Sequence, residues 1–120
     1  MRTKRIEIDV RLSADLSTND ILYMREYQGF LFMMSKAGIH VFNSMGKFIR
    51  NIASKKNSYF NFLGEELYYL EDQKLKFFDL FTAETREINL PALCRYALLT
   101  DERLYLMQAK SVEIYEVMNK

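Results

Sequence analysis

Three stretches of this 120-residue chain carry the same residues at the same spacing. Tyr23, Tyr59 and Tyr96 each stand eight residues ahead of Leu31, Leu67 and Leu104, and those leucines stand eight residues ahead of Ile39, Leu75 and Val112. No insertion breaks the register, so the chain is a tandem array with a period of 36 to 37 residues. Self-similarity at such a period marks an architecture in which one supersecondary unit buries its apolar surface on the next. The array is read as one domain: residues 1–20 form an N-terminal edge strand and linker, and residues 21–56, 57–93 and 94–120 form repeats 1, 2 and 3.

The alternation inside each unit is that of strands. The second segment reads Leu31-Phe-Met-Met, Leu67-Tyr-Tyr-Leu and Leu104-Tyr-Leu-Met, apolar at both alternating sets, which requires cover on both faces of a sheet. The third reads Ile39-His-Val-Phe-Asn, Leu75-Lys-Phe-Phe-Asp and Val112-Glu-Ile-Tyr-Glu; one face is apolar and the other begins with a polar residue, the pattern of a half-exposed strand. Short turn-forming stretches separate the segments, among them Tyr27-Gln-Gly29, Ser35-Lys-Ala-Gly38 and Glu71-Asp-Gln-Lys74, as tight antiparallel hairpins demand. Turns at Ser44–Lys47 and Phe81–Glu84 lead to candidate fourth strands, Phe48–Ile52 and Thr85–Leu90. Each unit is thus expected to be a four-stranded antiparallel meander. Repeat 3 reaches Lys120 without a fourth strand, while the alternating segment Arg5–Leu12 precedes repeat 1 and belongs to none. Pairing of that segment with the last repeat, in its own or a neighbouring subunit, would cover an open edge.

Seventeen Phe and Tyr residues with no Trp favour strands over helices. The amino terminus lacks the apolar core of a signal peptide, and the longest apolar run, Phe30 to Met34, is far shorter than the ~20 residues of a spanning helix. A soluble protein of the cytoplasm, with the nucleus as the alternative, is the expectation. The single Cys94, placed in a strand after Pro91, has no disulfide partner in the chain and reads as a buried inert thiol.

The run Gly38-Ile-His-Val-Phe-Asn-Ser-Met-Gly-Lys-Phe-Ile-Arg50 and the run from Leu75 to Thr85 resemble the third-strand, turn and fourth-strand segment of β-propeller blades of the broad WD40, kelch and NHL-like kind. The resemblance covers residues 21–117. The Gly-His and Trp-Asp pairs of WD40 repeats and the double glycine of kelch repeats are absent, so it points to no subfamily. It implies an all-β fold of three tandem four-stranded antiparallel meanders, propeller-like. Propellers close with about 4 to 8 blades. Three units would therefore pair as two chains, be completed by another protein, or close otherwise; the alternative fold is a β-trefoil.

Catalytic, cofactor and metal signatures are lacking. His40 corresponds to Lys76 and Glu113 in the other repeats and reads as a solvent-facing slot. The acidic pairs Glu65-Glu66, Glu71-Asp72 and Asp101-Glu102 fall in hairpin turns, where acids solvate the chain. The threefold recurrence of Tyr23, Tyr59 and Tyr96 points to packing or a hydroxyl anchor. Charge is uneven: residues 27–64 hold five bases and no acid, whereas residues 65–120 hold eleven acids and seven bases. Lys36, Lys47, Arg50, Lys55 and Lys56, with Phe48, Tyr59, Phe60 and Phe62 nearby, form the candidate nucleic-acid-binding group. The leading functional expectation is a non-catalytic interaction or scaffold subunit, with a protein partner or homo-oligomer completing the sheet or ring. The alternative is an RNA- or ribosome-associated factor binding through the basic first repeat.

Overall fold

The computed structural model describes residues 21–54 and 59–118, so the expected strand Arg5–Leu12 lies outside the described residues. These residues form eleven strands in three antiparallel sheets and no helix. The first sheet comprises β1 (Tyr23–Tyr27), β2 (Phe30–Ser35), β3 (Gly38–Phe42) and β4 (Phe48–Ile52). The second comprises β5 (Asn61–Leu63), β6 (Glu66–Glu71), β7 (Lys74–Asp79) and β8 (Thr85–Asn89). The third has three strands, β9 (Tyr96–Leu99), β10 (Arg103–Met107) and β11 (Val112–Glu116). Every ladder joins consecutive strands of one repeat, which is a meander and not the exchange of strands that would build a trefoil barrel. The chain divides into two compact units, Met1–Ile52 and Ala53–Lys120.

Turn chemistry explains where the strands stop. Between β1 and β2, Gln28 and Gly29 both have positive φ, 52° and 84°, the mirror-image turn whose twist matches the strands it joins. At the end of β3 the Asn43 Oδ1 accepts from the backbone N–H of Met45 and Lys47 at 2.9 and 3.0 Å. Thirty-six residues later, at the end of β7, the Asp79 Oδ1 accepts from Phe81 and Thr82 at 2.8 and 2.9 Å. One short polar side chain at one repeat position thus shapes the turn into the fourth strand twice.

In the first unit the β2–β3 pair is covered on both faces: Phe32, Met34, Ile39 and Val41 are buried on one, Met33, His40 and Phe42 on the other. His40 corrects the expectation of a solvent-facing position. It is 6% exposed, and its Nε2 lies 2.7 Å from the Ser35 Oγ, so a buried polar partner meets the cost of burying the ring. Gly38 has φ +131°, and a Cβ there would lie 2.6 Å from the Ile52 carbonyl oxygen, so β3 and the end of β4 can approach only over glycine.

In the second unit the second and third sheets share a core. Tyr68, Leu70, Leu75 and Phe77 from β6 and β7 meet Ala97 and Leu106 from β9 and β10, with Leu90, Leu99 and Leu104 around them. The other face of the second sheet is buried too, through Phe62, Leu67, Tyr69 and Phe78. Two-sided burial expected of the second strand therefore holds for β2 and β6. It fails for β10, where only Leu106 is buried. The expected burial of Val112 and Ile114 fails as well, because among the described residues no sheet covers their face. Cys94 also departs from expectation: it lies in the bend before β9, half-buried, with its thiol 3.3 Å from the Ala92 carbonyl and its pKa raised by desolvation.

Candidate functional site

The basic residues singled out from the sequence do not converge. Lys36 sits in the β2–β3 turn and Lys47 in the β3–β4 turn, at opposite ends of β3, roughly 15 Å apart along a five-residue strand. Arg50 lies on β4 opposite Val41, and Lys55 and Lys56 are outside the described residues. Of the acidic pairs expected in hairpin turns, Glu66 and Glu71 instead form the two ends of β6, and both serve structure. Glu66 holds Arg86 in a two-pronged pair at 2.8 and 2.9 Å, and Arg86 also lies 3.9 Å over the Phe77 ring. Glu71 pairs with Lys76 at 2.9 Å, a bond that raises the lysine pKa. A cleft of about 450 Å³ lined by Tyr69, Lys76, Phe77, Thr85, Arg86 and Glu87 is thus walled by charges that already neutralise one another. Among the described residues no three His, Cys, Asp or Glu side chains group as metal ligands would.

Of the recurrent tyrosines, Tyr59 has a definite task, which it shares with Tyr68 of the same repeat. The Tyr59 hydroxyl accepts the Ala97 N–H at 2.8 Å, and the Tyr68 hydroxyl accepts the Leu99 N–H at 2.9 Å. Ala97 and Leu99 belong to β9, an edge strand of the third sheet, so two hydroxyls of repeat 2 occupy donors that would otherwise be open to a pairing strand. Tyr59 also stacks on Tyr96, with ring centroids 4.2 Å apart, and burial raises its pKa far above the usual phenol value. A hydroxyl-anchored packing role, one of the two readings of the repeat, is what Tyr59 performs.

Sequence reasoning missed the surface at the far side of the third sheet. On the face away from the shared core stand Leu98, Met107, Val112 and Ile114, 39%, 41%, 55% and 60% exposed, in the rows Tyr96–Met107–Val112 and Leu98–Tyr105–Ile114. Its outer strand, β11, has no neighbour beyond it among the described residues, whereas β4 covers β3 and β8 covers β7. Scattered apolar residues are ordinary on protein surfaces; a contiguous apolar face beside an open strand edge is a candidate contact surface. The signal was available in the repeat itself, since Met107, Val112 and Ile114 repeat the apolar positions of Leu70, Leu75 and Phe77.

No family model matches the chain, and no curated protein does. Solved structures do. The N-terminal domain of Nup159 is matched over 83% of this chain and 28% of its own, at 15% identity and TM-score 0.62. Hsv2 of Kluyveromyces lactis is matched over 85% of this chain and 34% of its own, at 16% identity and TM-score 0.58. Nup159 in the S. cerevisiae assembly with Dbp5 and Gle1 matches with TM-score 0.62 at 14% identity. These are β-propeller proteins, and the chain spans about a third of their length. The fold is all-β and propeller-like: each sheet is built as a propeller blade is, and the second and third stack face to face.

Proposed function

We propose that this protein is a non-catalytic, cytoplasmic interaction subunit that works by presenting a sheet edge and an apolar sheet face to a protein partner. One observation carries the reading: the third sheet stops at β11, whose outer edge has no neighbour among the described residues. Strand edges of this kind recruit strands from other chains, main-chain hydrogen bonds giving affinity and alternate side chains giving selectivity. Nup159, which shares the fold, has been solved bound with Dbp5 and Gle1, which supports a protein partner in general terms. Native mass spectrometry of the protein purified from its source tests the reading. A complex of fixed stoichiometry is expected; a lone monomer that is well folded and unfolds cooperatively would sink it.

A second reading, contact with RNA or a ribonucleoprotein, draws on the acid-free stretch 27–64. It ranks lower because Lys36 and Lys47 stand at opposite ends of one strand. Phosphate contacts imply salt-dependent retention on RNA, lost when Lys36, Lys47, Arg50, Lys55 and Lys56 are changed to Glu. Absence of binding at low salt ends this reading.

A further inference from the structure

One diagonal recurs across the central hairpin of every repeat. Ser35, Glu71 and Gln108 occupy one repeat position, at intervals of 36 and 37 residues, and His40, Lys76 and Glu113 occupy another at the same intervals. In each hairpin the two side chains meet. The Ser35 Oγ lies 2.7 Å from the His40 Nε2, the Lys76 Nζ donates to the Glu71 Oε1 at 2.9 Å, and the Gln108 Nε2 donates to the Glu113 Oε1. Ser35 and Glu71 stand directly opposite Gly38 and Lys74, while His40 and Lys76 stand opposite Met33 and Tyr69, so each pair crosses its ladder diagonally on one face. Glu113 likewise stands opposite Leu106, and Gln108 bonds through its backbone to Ser111 just past the last rung. The three pairs have no residue type in common at either position. They share only the match between their two members.

We propose that this diagonal is a clasp built into the central hairpin, a slot filled by any complementary polar pair, in which burial decides whether the pair is charged. Ser35 and His40, 3% and 6% exposed, are partners that can bond without any formal charge. The side chains of Lys76 and Glu71 are 31% and 12% exposed and carry a full ion pair, whose ammonium still meets water. The third clasp is intermediate: the half-buried Glu113 brings one carboxylate, which takes a second bond from the Tyr115 hydroxyl at 2.7 Å. Two charges fully withdrawn from water lose more in desolvation than their attraction returns, and uncharged partners avoid that loss. The clasp of repeat 2 also reaches beyond its own hairpin. It closes the strands beside the turn that holds Gln73, whose backbone carbonyl accepts the Leu90 N–H at 2.9 Å and whose side-chain amide donates to the Leu90 carbonyl at 2.7 Å. Leu90 is buried in the core shared by the second and third sheets, so the pair that holds the turn also seats a residue of that core.

Amide exchange at Leu90 reads the clasp of repeat 2. Glu71→Met or Lys76→Met should speed it about tenfold, and both together no more than the worse single change, since the second substitution removes a partner already lost. Glu71→Ser with Lys76→His, which installs the pair of repeat 1, should keep the exchange rate within about threefold of the parent. In repeat 1 the slot should refuse charge. Ser35→Glu with His40→Lys is expected to speed exchange of the β2 and β3 amides about tenfold more than Ser35→Gln with His40→Met, which has similar bulk and no charge. Additive effects of the two methionine substitutions overturn the inference, as does a loss on installing the serine and histidine as large as that on breaking the ion pair. A charged pair tolerated in repeat 1 as well as its uncharged counterpart overturns it too.

Discussion

The tyrosine hydroxyls show how much one oxygen can decide. Tyr59→Phe or Tyr68→Phe keeps the ring and its packing but leaves a part-buried N–H of β9 without an acceptor, at a cost of about 1–3 kcal/mol. Chemical denaturation should register that loss, together with faster amide exchange at Ala97 or Leu99. Gly38→Ala is expected to destabilise by about 1–3 kcal/mol through backbone strain alone, and more if Ile52 cannot retreat from the new Cβ, read by the same denaturation. Asp79 carries a pH signature. Backbone N–H groups of Thr82 and Phe81 hold its carboxyl below the usual range, so the stability it adds is present above the ordinary carboxylate pKa and lost as pH falls through the folded value. Asp79→Asn keeps the acceptor and loses the charge, so its melting temperature should differ from that of the parent near neutrality and converge with it in acid.

At the level of strands, identical chemistry has different weight on the two faces of the third sheet. Leu106 is fully buried against the second sheet, and Leu106→Ala should cost about 2–5 kcal/mol. Ile114→Ala, on the open face, should change stability of the isolated protein by about 0.5 kcal/mol or less. Urea midpoints of the two variants check the contrast. The same contrast marks how far the sequence was legible. Period-two alternation located the meanders because each ladder is local, and the fourth strands came out at Phe48–Ile52 and, within one residue, at Thr85–Asn89. What a strand faces is a tertiary fact. Val112 and Ile114 share the pattern of Leu75 and Phe77 but have no sheet above them among the described residues, and His40 shares a column with Lys76 and Glu113 but has Ser35 within hydrogen-bond reach. The basic group failed for a simpler reason: closeness along the chain between Lys36 and Lys47 spans a whole strand and separates them in space.

At the scale of the molecule, every strand among the described residues pairs with the one before or after it in sequence, so ordering them demands little long-range search. Refolding followed by stopped-flow fluorescence of tyrosine should therefore fall in the millisecond range, about as fast as mixed α/β domains and ahead of all-β sandwiches of similar size. The second and third sheets also stand in an unequal relation. Repeat 2 supplies the oxygens, and repeat 3 supplies the donors they quench. Stacking of this sort has a direction, like a stair in which each tread is pinned by the one beneath. A repeat duplicated within such a gene would arrive with the means to fasten its successor and a matching dependence on its predecessor, so the array can lengthen without any new contact having to be invented.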